Sequence, residues 1–166
     1  MTLDRLYTPW RLAYVTGAAK SSGCVFCAAL ASADADPLIV LRGSTCFVIL
    51  NLFPYNNGHL MVVPNRHIAT LVDARPEEQR DMMAMTRLSE MALREAFNPE
   101  GINVGLNLGK AAGAGILEHL HIHLVPRWTG DTNFMSVVGN VRVLPEELGQ
   151  SAERLRPVFE RLGRDA

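Results

Sequence analysis

Glu118-His119-Leu120-His121-Ile122-His123-Leu124-Val125 places three of the chain's five histidines at every second residue. A strand alternates its side chains between faces. The spacing therefore predicts a strand from Glu118 to Val125, with the three imidazoles on one side and Leu120, Ile122 and Leu124 in the core. Neighbouring imidazoles then start roughly 6.5–7 Å apart. Only His59 and His67 remain elsewhere in the chain, so a sheet face that merely happens to be His-rich is the poorer reading. The run marks a functional surface.

Outward from this strand, Asn107-Leu108-Gly109-Lys110-Ala111-Ala112-Gly113-Ala114-Gly115 is a loop of small residues, preceded by alternation from Gly101 to Leu108 that reads as another strand. Pro76-Glu77-Glu78 opens a helix, with Pro in the first turn and acids near the positive end of the dipole. Met82, Met85, Leu88 and Ala92 follow at helical spacing to Phe97, and Asn98-Pro99 ends the helix. Its four methionines read as core filler rather than a cofactor box. Leu38 to Arg42 and Thr45 to Leu50 are β-rich runs separated by Gly43-Ser44, which predicts a hairpin. Pro54-Tyr55-Asn56-Asn57-Gly58 is a turn, and His59 to Val63 is a strand stopped by Pro64. Pro145 to Arg164 looks helical with an interruption at Pro157. The expected fold is α+β: a mainly antiparallel sheet of about five strands, one long helix and a C-terminal helix. Residues 1–22, with Tyr7, Trp10, Arg11 and Tyr14, read as an arm packed on a domain at 23–145, and 146–166 as a helical extension.

The chain has 166 residues, 48% apolar and 20% charged, with a formal charge of −1. That balance lacks the basic footprint of duplex nucleic-acid binding. The apolar runs are far too short for a membrane span, and Met1 to Arg5 does not open a secretory leader. Three cysteines in a chain of this length do not suggest a disulfide scaffold. A cytoplasmic protein with no nucleic-acid or membrane partner is expected.

Three aligned imidazoles suit either a three-His catalytic zinc site or phosphorus chemistry. In the second, one neutral imidazole attacks while its neighbours donate to phosphate oxygens. The Asn107–Gly115 loop favours phosphate, because backbone N–H groups between small residues approach an anion closely. Cys24-Val25-Phe26-Cys27 is compatible with zinc or thiol redox work; no thioredoxin-like βαβ pattern surrounds it, and zinc is preferred. His67 and one histidine of the triad run could complete a Cys2His2 set. Cys46, inside the apolar run Cys46 to Leu50, is most simply a small buried residue.

His119-Leu120-His121-Ile122-His123-Leu124-Val125 resembles the signature of the histidine triad (HIT) superfamily, His-x-His-x-His followed by two apolar residues. Asn51, Gly58-His59-Leu60-Met61-Val62-Val63-Pro64, the loop Asn107 to Gly115 and Pro126-Arg127-Trp128 match as well, and together these cover most of Gly23 to Phe134. Arg5 to Arg11, Asn51 to Asn56, Gly105 to Gly109 and Trp128 to Phe134 are similar to a bacterial branch of diadenosine tetraphosphate phosphorylases. The resemblance implies a nucleotidyl transferase acting through a covalent AMP–histidine intermediate, with phosphate as acceptor and His121 as nucleophile. His123 would bind phosphate oxygens and His59 would brace the site. Asn51 falls at the ribose position, and Asn107, Gly113 and Gly115 at the phosphate loop. Structural zinc maps onto Cys24, Cys27, His67 and His119, magnesium would accompany the substrate, and a homodimer is the family's usual state. Where many relatives place Gln, Ser or Thr before the triad, this chain has Gly115 and Ile116, which shifts phosphate contact towards backbone N–H groups. The competing readings are a hydrolase of dinucleoside polyphosphates or adenosine phosphoramidates, a non-catalytic nucleotide- and zinc-binding module, and a three-His metal hydrolase.

Overall fold

A computed structural model describes residues 23–32, 36–131 and 144–164. Helix α1 (Val25–Ala31) precedes strands β1 (Ile39–Arg42), β2 (Cys46–Leu50) and β3 (Leu60–Pro64). Helix α2 (Pro76–Phe97), strand β4 (Gly101–Leu106), a 3-10 turn at Lys110–Ala112, strand β5 (Ile122–Arg127) and helix α3 (Leu148–Leu162) follow. The strands form one antiparallel sheet in the order β1-β2-β3-β5-β4, the expected α+β architecture.

β2 and β3 are buried along their whole length, which is why both read as unbroken apolar runs. Alternation sends Cys46, Val48, Leu50, Leu60 and Val62 into one cluster, with Met82, Leu93, Leu155 and Phe159 of α2 and α3. Phe47, Ile49, Met61 and Val63 form a second cluster on the other face, beneath Phe26 and Ala29 of α1. Each fully buried Val or Leu in these layers contributes about 1.5–3 kcal/mol. Cys46 is fully buried, as its sequence context implied.

Helix α2 starts and stops where expected. The Glu78 carboxylate accepts the Arg75 N–H at 2.8 Å, and Asn98 ends the helix at φ 45° in the left-handed region. Met82 and Met85 face the core, but Met83 is 64% exposed and Met91 also meets solvent. Only part of the methionine set is therefore core filler.

Two further expectations are corrected. The helix at the C-terminus runs through Pro157 without a break. The ring sits on the solvent side, where water can satisfy the carbonyl that loses its N–H partner, while Ala152, Leu155 and Phe159 anchor the other face. The triad strand begins at Ile122, so His119 and His121 lie on its approach and only His123 is in the ladder. Pairing of β5 with β3 stops at Ile122↔Val62. Further along β3 stands Pro64, which has no N–H and whose carbonyl is taken by His119 Nε2 at 2.8 Å; the Leu120 N–H turns to the Ile68 carbonyl. Leu120, Ile122 and Leu124 still enter the core. The expected arm at 1–22 and the matching residues 132–134 lie outside the described residues.

Candidate functional site

The five histidines separate into two groups, and Phe26 stands between them. Its ring centroid is 5.4 Å from that of His119 and 5.2 Å from that of His121. On one side, His121, His123 and His59 adjoin in sequence, edge to face and then tilted, with centroids 4.7 and 5.1 Å apart. On the other, His119 meets His67 at 5.0 Å. The evenly spaced row of three imidazoles expected from a regular strand is thus replaced by a pair and an outlier.

Backbone groups set the tautomers in the first group. The Tyr55 N–H donates to His59 Nδ1 at 3.1 Å, so this nitrogen carries no proton and His59 Nε2 does. His59 Nε2 then donates to His123 Nδ1 at 2.9 Å, which leaves the His123 proton on Nε2. His121 Nδ1 donates to the His119 carbonyl at 2.8 Å, leaving a lone pair on His121 Nε2. A nucleophilic nitrogen and an N–H donor therefore stand side by side.

Electrostatics keeps both groups neutral. Burial pushes His121 below its ordinary value of 6.5. His123 is lowered to about 4, chiefly by burial and then by the neighbouring His121.

Asn51 leaves the end of β2 with its Oδ1 accepting the Phe53 N–H at 2.9 Å and its Nδ2 3.4 Å from His59 Nδ1. Asn107 and His123 both line a cleft of about 280 Å³ over β4 and β5. The glycine loop after Asn107 is exposed, and Gly109 and Gly113 adopt φ 84° and 88°. Only glycine takes these positions without strain. Gly115 is exposed in the same loop.

Cys24, Cys27, His67 and His119 bring four ligand atoms within 4.8 Å of one another. Cys24 Sγ is 3.2 Å from His119 Nδ1, and Cys27 Sγ is 3.4 Å from His67 Nδ1. A tetrahedral ion with two thiolate and two imidazole ligands separates its donors by roughly 3.5 Å, given metal–ligand distances of about 2.0–2.3 Å. The donor set fits. His119 also has its Nε2 proton on the Pro64 carbonyl, which turns the Nδ1 lone pair towards the thiols, as is common among metal-bound histidines. The histidine left for this cluster is thus His119, which the spacing of the triad alone could not single out.

Sequence reasoning missed Phe26 as the wedge and the Tyr55 backbone as the tautomer lock. It also missed the Asn56, Asn103, Arg127 and Asp131 network at the far end of the cleft. The signal for Phe26 was its place inside the Cys-x-x-Cys turn. For Arg127 it was the strand period from His123, which puts both on one face.

Residues 32–130 match the HIT domain model. The chain belongs to the histidine triad family. It is 39% identical over 167 residues to an AP-4-A phosphorylase of Mycobacterium tuberculosis, an alignment that spans 96% of this chain and 86% of that one. A bis(5'-adenosyl)-triphosphatase of Dictyostelium discoideum is 32% identical over 69% of this chain and 80% of its own length. Among solved structures, a Zn-bound histidine triad family protein from Mycobacterium smegmatis superposes with a TM-score of 0.70 at 32% identity, over 87% of this chain and 98% of that chain.

Proposed function

We propose that this chain is a nucleotidyl transferase that cleaves diadenosine tetraphosphate with inorganic phosphate as acceptor. The observation that carries the reading is the pairing of a free His121 Nε2 with the His123 Nε2–H donor, both held neutral. The 39% identity to the AP-4-A phosphorylase supports the substrate class.

His121 Nε2 attacks the α-phosphorus, the bond to the bridging oxygen breaks, and ATP leaves. The resulting phosphoramidate carries a cationic imidazole and is a good donor to a second nucleophile. Phosphate attacks the same phosphorus, the P–N bond breaks, and ADP is released with His121 regenerated. His123 Nε2–H and the backbone N–H groups of the Gly109–Gly115 loop offset charge on the non-bridging oxygens. His59 relays the Tyr55 contact that holds the His123 tautomer. Asn51 contacts the ribose, and Asn107, Gly113 and Gly115 surround the phosphates.

Cys24, Cys27, His67 and His119 hold a structural zinc ion in this reading, which ties α1 to the approach of the triad. The Zn-bound relative supports that choice. The homodimer expected of the family has an available edge in β4, where Val104 is half exposed. Cys24, Cys27 and Cys46 form no disulfide, which agrees with the proposed cytoplasmic location. The proposed division is a HIT domain at 23–145 followed by a helical extension at 146–166, whose α3 packs against α2 and β1.

Chromatography of products formed from diadenosine tetraphosphate, with and without phosphate, tests the reaction. Phosphate-dependent ATP plus ADP is expected. AMP plus ATP regardless of phosphate would instead make the chain a hydrolase, the reaction class of the Dictyostelium relative.

A further inference from the structure

The cleft over β4 and β5 begins at His123 and ends at an ion pair that the chemistry above does not use. His123, Val125 and Arg127 share one face of β5, and their β4 partners are Gly105, Asn103 and Gly101. The two glycines put no side chains over the strand, so the cleft stays open along its length. At its far end Arg127 Nε and Nη2 bond both oxygens of Asp131 at 2.6 and 2.9 Å, and Nη1 donates to Asn103 Oδ1 at 2.8 Å. Asn56 Nδ2 fixes Asp131 Oδ2 at 2.7 Å.

Two features decide what fits there. First, the guanidinium charge is cancelled by Asp131, and the neighbouring groups are carboxamides and the Tyr55 ring. A polyphosphate gains little from such a lining. An uncharged planar group gains a stacking surface on the braced guanidinium, and its edge atoms meet the Asn103 amide. Second, the cleft lies across His123 from Asn51. The sheet order sets β2, whose end leads into Asn51, three strand steps or ~14 Å from β4. A dinucleotide with its reacting phosphorus at His121 has one nucleoside on each side.

We infer that the Arg127–Asp131–Asn103 end of the β4–β5 cleft is the subsite for the far, departing nucleoside of the dinucleotide, with Arg127 and Asn103 as its specificity residues. This rests on the proposed function. It predicts that a dinucleotide binds more tightly than a mononucleotide with the same phosphate chain.

The test compares diadenosine tetraphosphate with adenosine 5'-tetraphosphate, which lacks the second nucleoside. Affinities are measured by calorimetry in the zinc-loaded, full-length His121→Asn protein, alone and combined with Arg127→Ala or Asn103→Ala. Both added substitutions should weaken the dinucleotide roughly tenfold and leave adenosine tetraphosphate within about twofold. Asn103→Ala spares the Arg127–Asp131 pair, so it serves if Arg127→Ala does not fold. Equal losses for both ligands, or no loss for either, would overturn the subsite. Failure of the unsubstituted protein to convert diadenosine tetraphosphate would instead overturn the functional reading on which the subsite depends.

Discussion

His121 keeps a lone pair on Nε2 because the His119 carbonyl holds the proton on Nδ1. Replacement by Asn keeps a polar side chain of similar reach but removes the nucleophile. His121→Asn should still bind nucleotide while turnover falls by several orders of magnitude; undiminished turnover in a purified preparation would remove His121 from the mechanism. Acid sensitivity follows from His123. Its pKa in the folded protein, about 4, lies below the ordinary 6.5, so folding disfavours its proton. The associated stability is present above about pH 6.5 and is lost as pH falls towards 4. Neutral His123 also needs Nδ1 free to accept from His59. The acid limb of kcat/KM should therefore have its midpoint below 6.5, and a midpoint at or above that value would show that burial does not hold the pair neutral. At this scale the two-residue period singled out the three histidines, and the family resemblance, not the period, assigned the attack to His121. The sequence could not carry the tautomers, which depend on the backbone N–H of Tyr55 and the carbonyl of His119, groups that almost every residue type supplies.

At the scale of elements, the turn before β3 carries His59 into place through Gly58. That residue has φ +72°, and a Cβ there would lie 2.9 Å from the Phe97 ring and 3.2 Å from Leu93. Gly58→Ala combines a left-handed backbone penalty with overpacking, and should cost about 2–4 kcal/mol in urea unfolding. A loss under 1 kcal/mol would mean that the helix face yields. Ser89, buried in α2, has a hydroxyl without a hydrogen-bond partner among the described residues. Ser89→Ala should raise stability by roughly 0.5–1 kcal/mol, since it removes that unpaired group and adds helix propensity; thermal denaturation reads the sign. Strand and helix positions were largely legible because β2 and β3 are continuously apolar and α2 has both end signals. The start of β5 was not, because the residue that stops its ladder is Pro64 on the neighbouring strand. Pro157 misled for a related reason: its tolerance depends on which side of α3 faces solvent.

For the molecule as a whole, the Cys-x-x-Cys turn and the triad approach meet at four donor atoms drawn from sequence positions far apart. Metal binding in such a set is folding free energy, since the unfolded chain has no comparable site. The purified protein should hold one zinc ion per chain by elemental analysis. Cys27→Ala should lose that zinc and lower Tm, and chelator should add little further effect in the variant. Two tightly held ions per chain would instead revive a metal centre at the triad. The CxxC half of this site was readable from spacing. The sequence also offered His67 and one triad histidine, but the choice of His119 required the resemblance or the fold, because only packing around Phe26 separates it from His121.

Covalent transfer through His121 is tested by mass spectrometry of protein quenched soon after mixing with diadenosine tetraphosphate in the absence of phosphate. An added AMP is expected on the peptide carrying His121, absent from His121→Asn and discharged as ADP when phosphate is supplied. Normal turnover with no adduct, or an adduct on another residue, would contradict it.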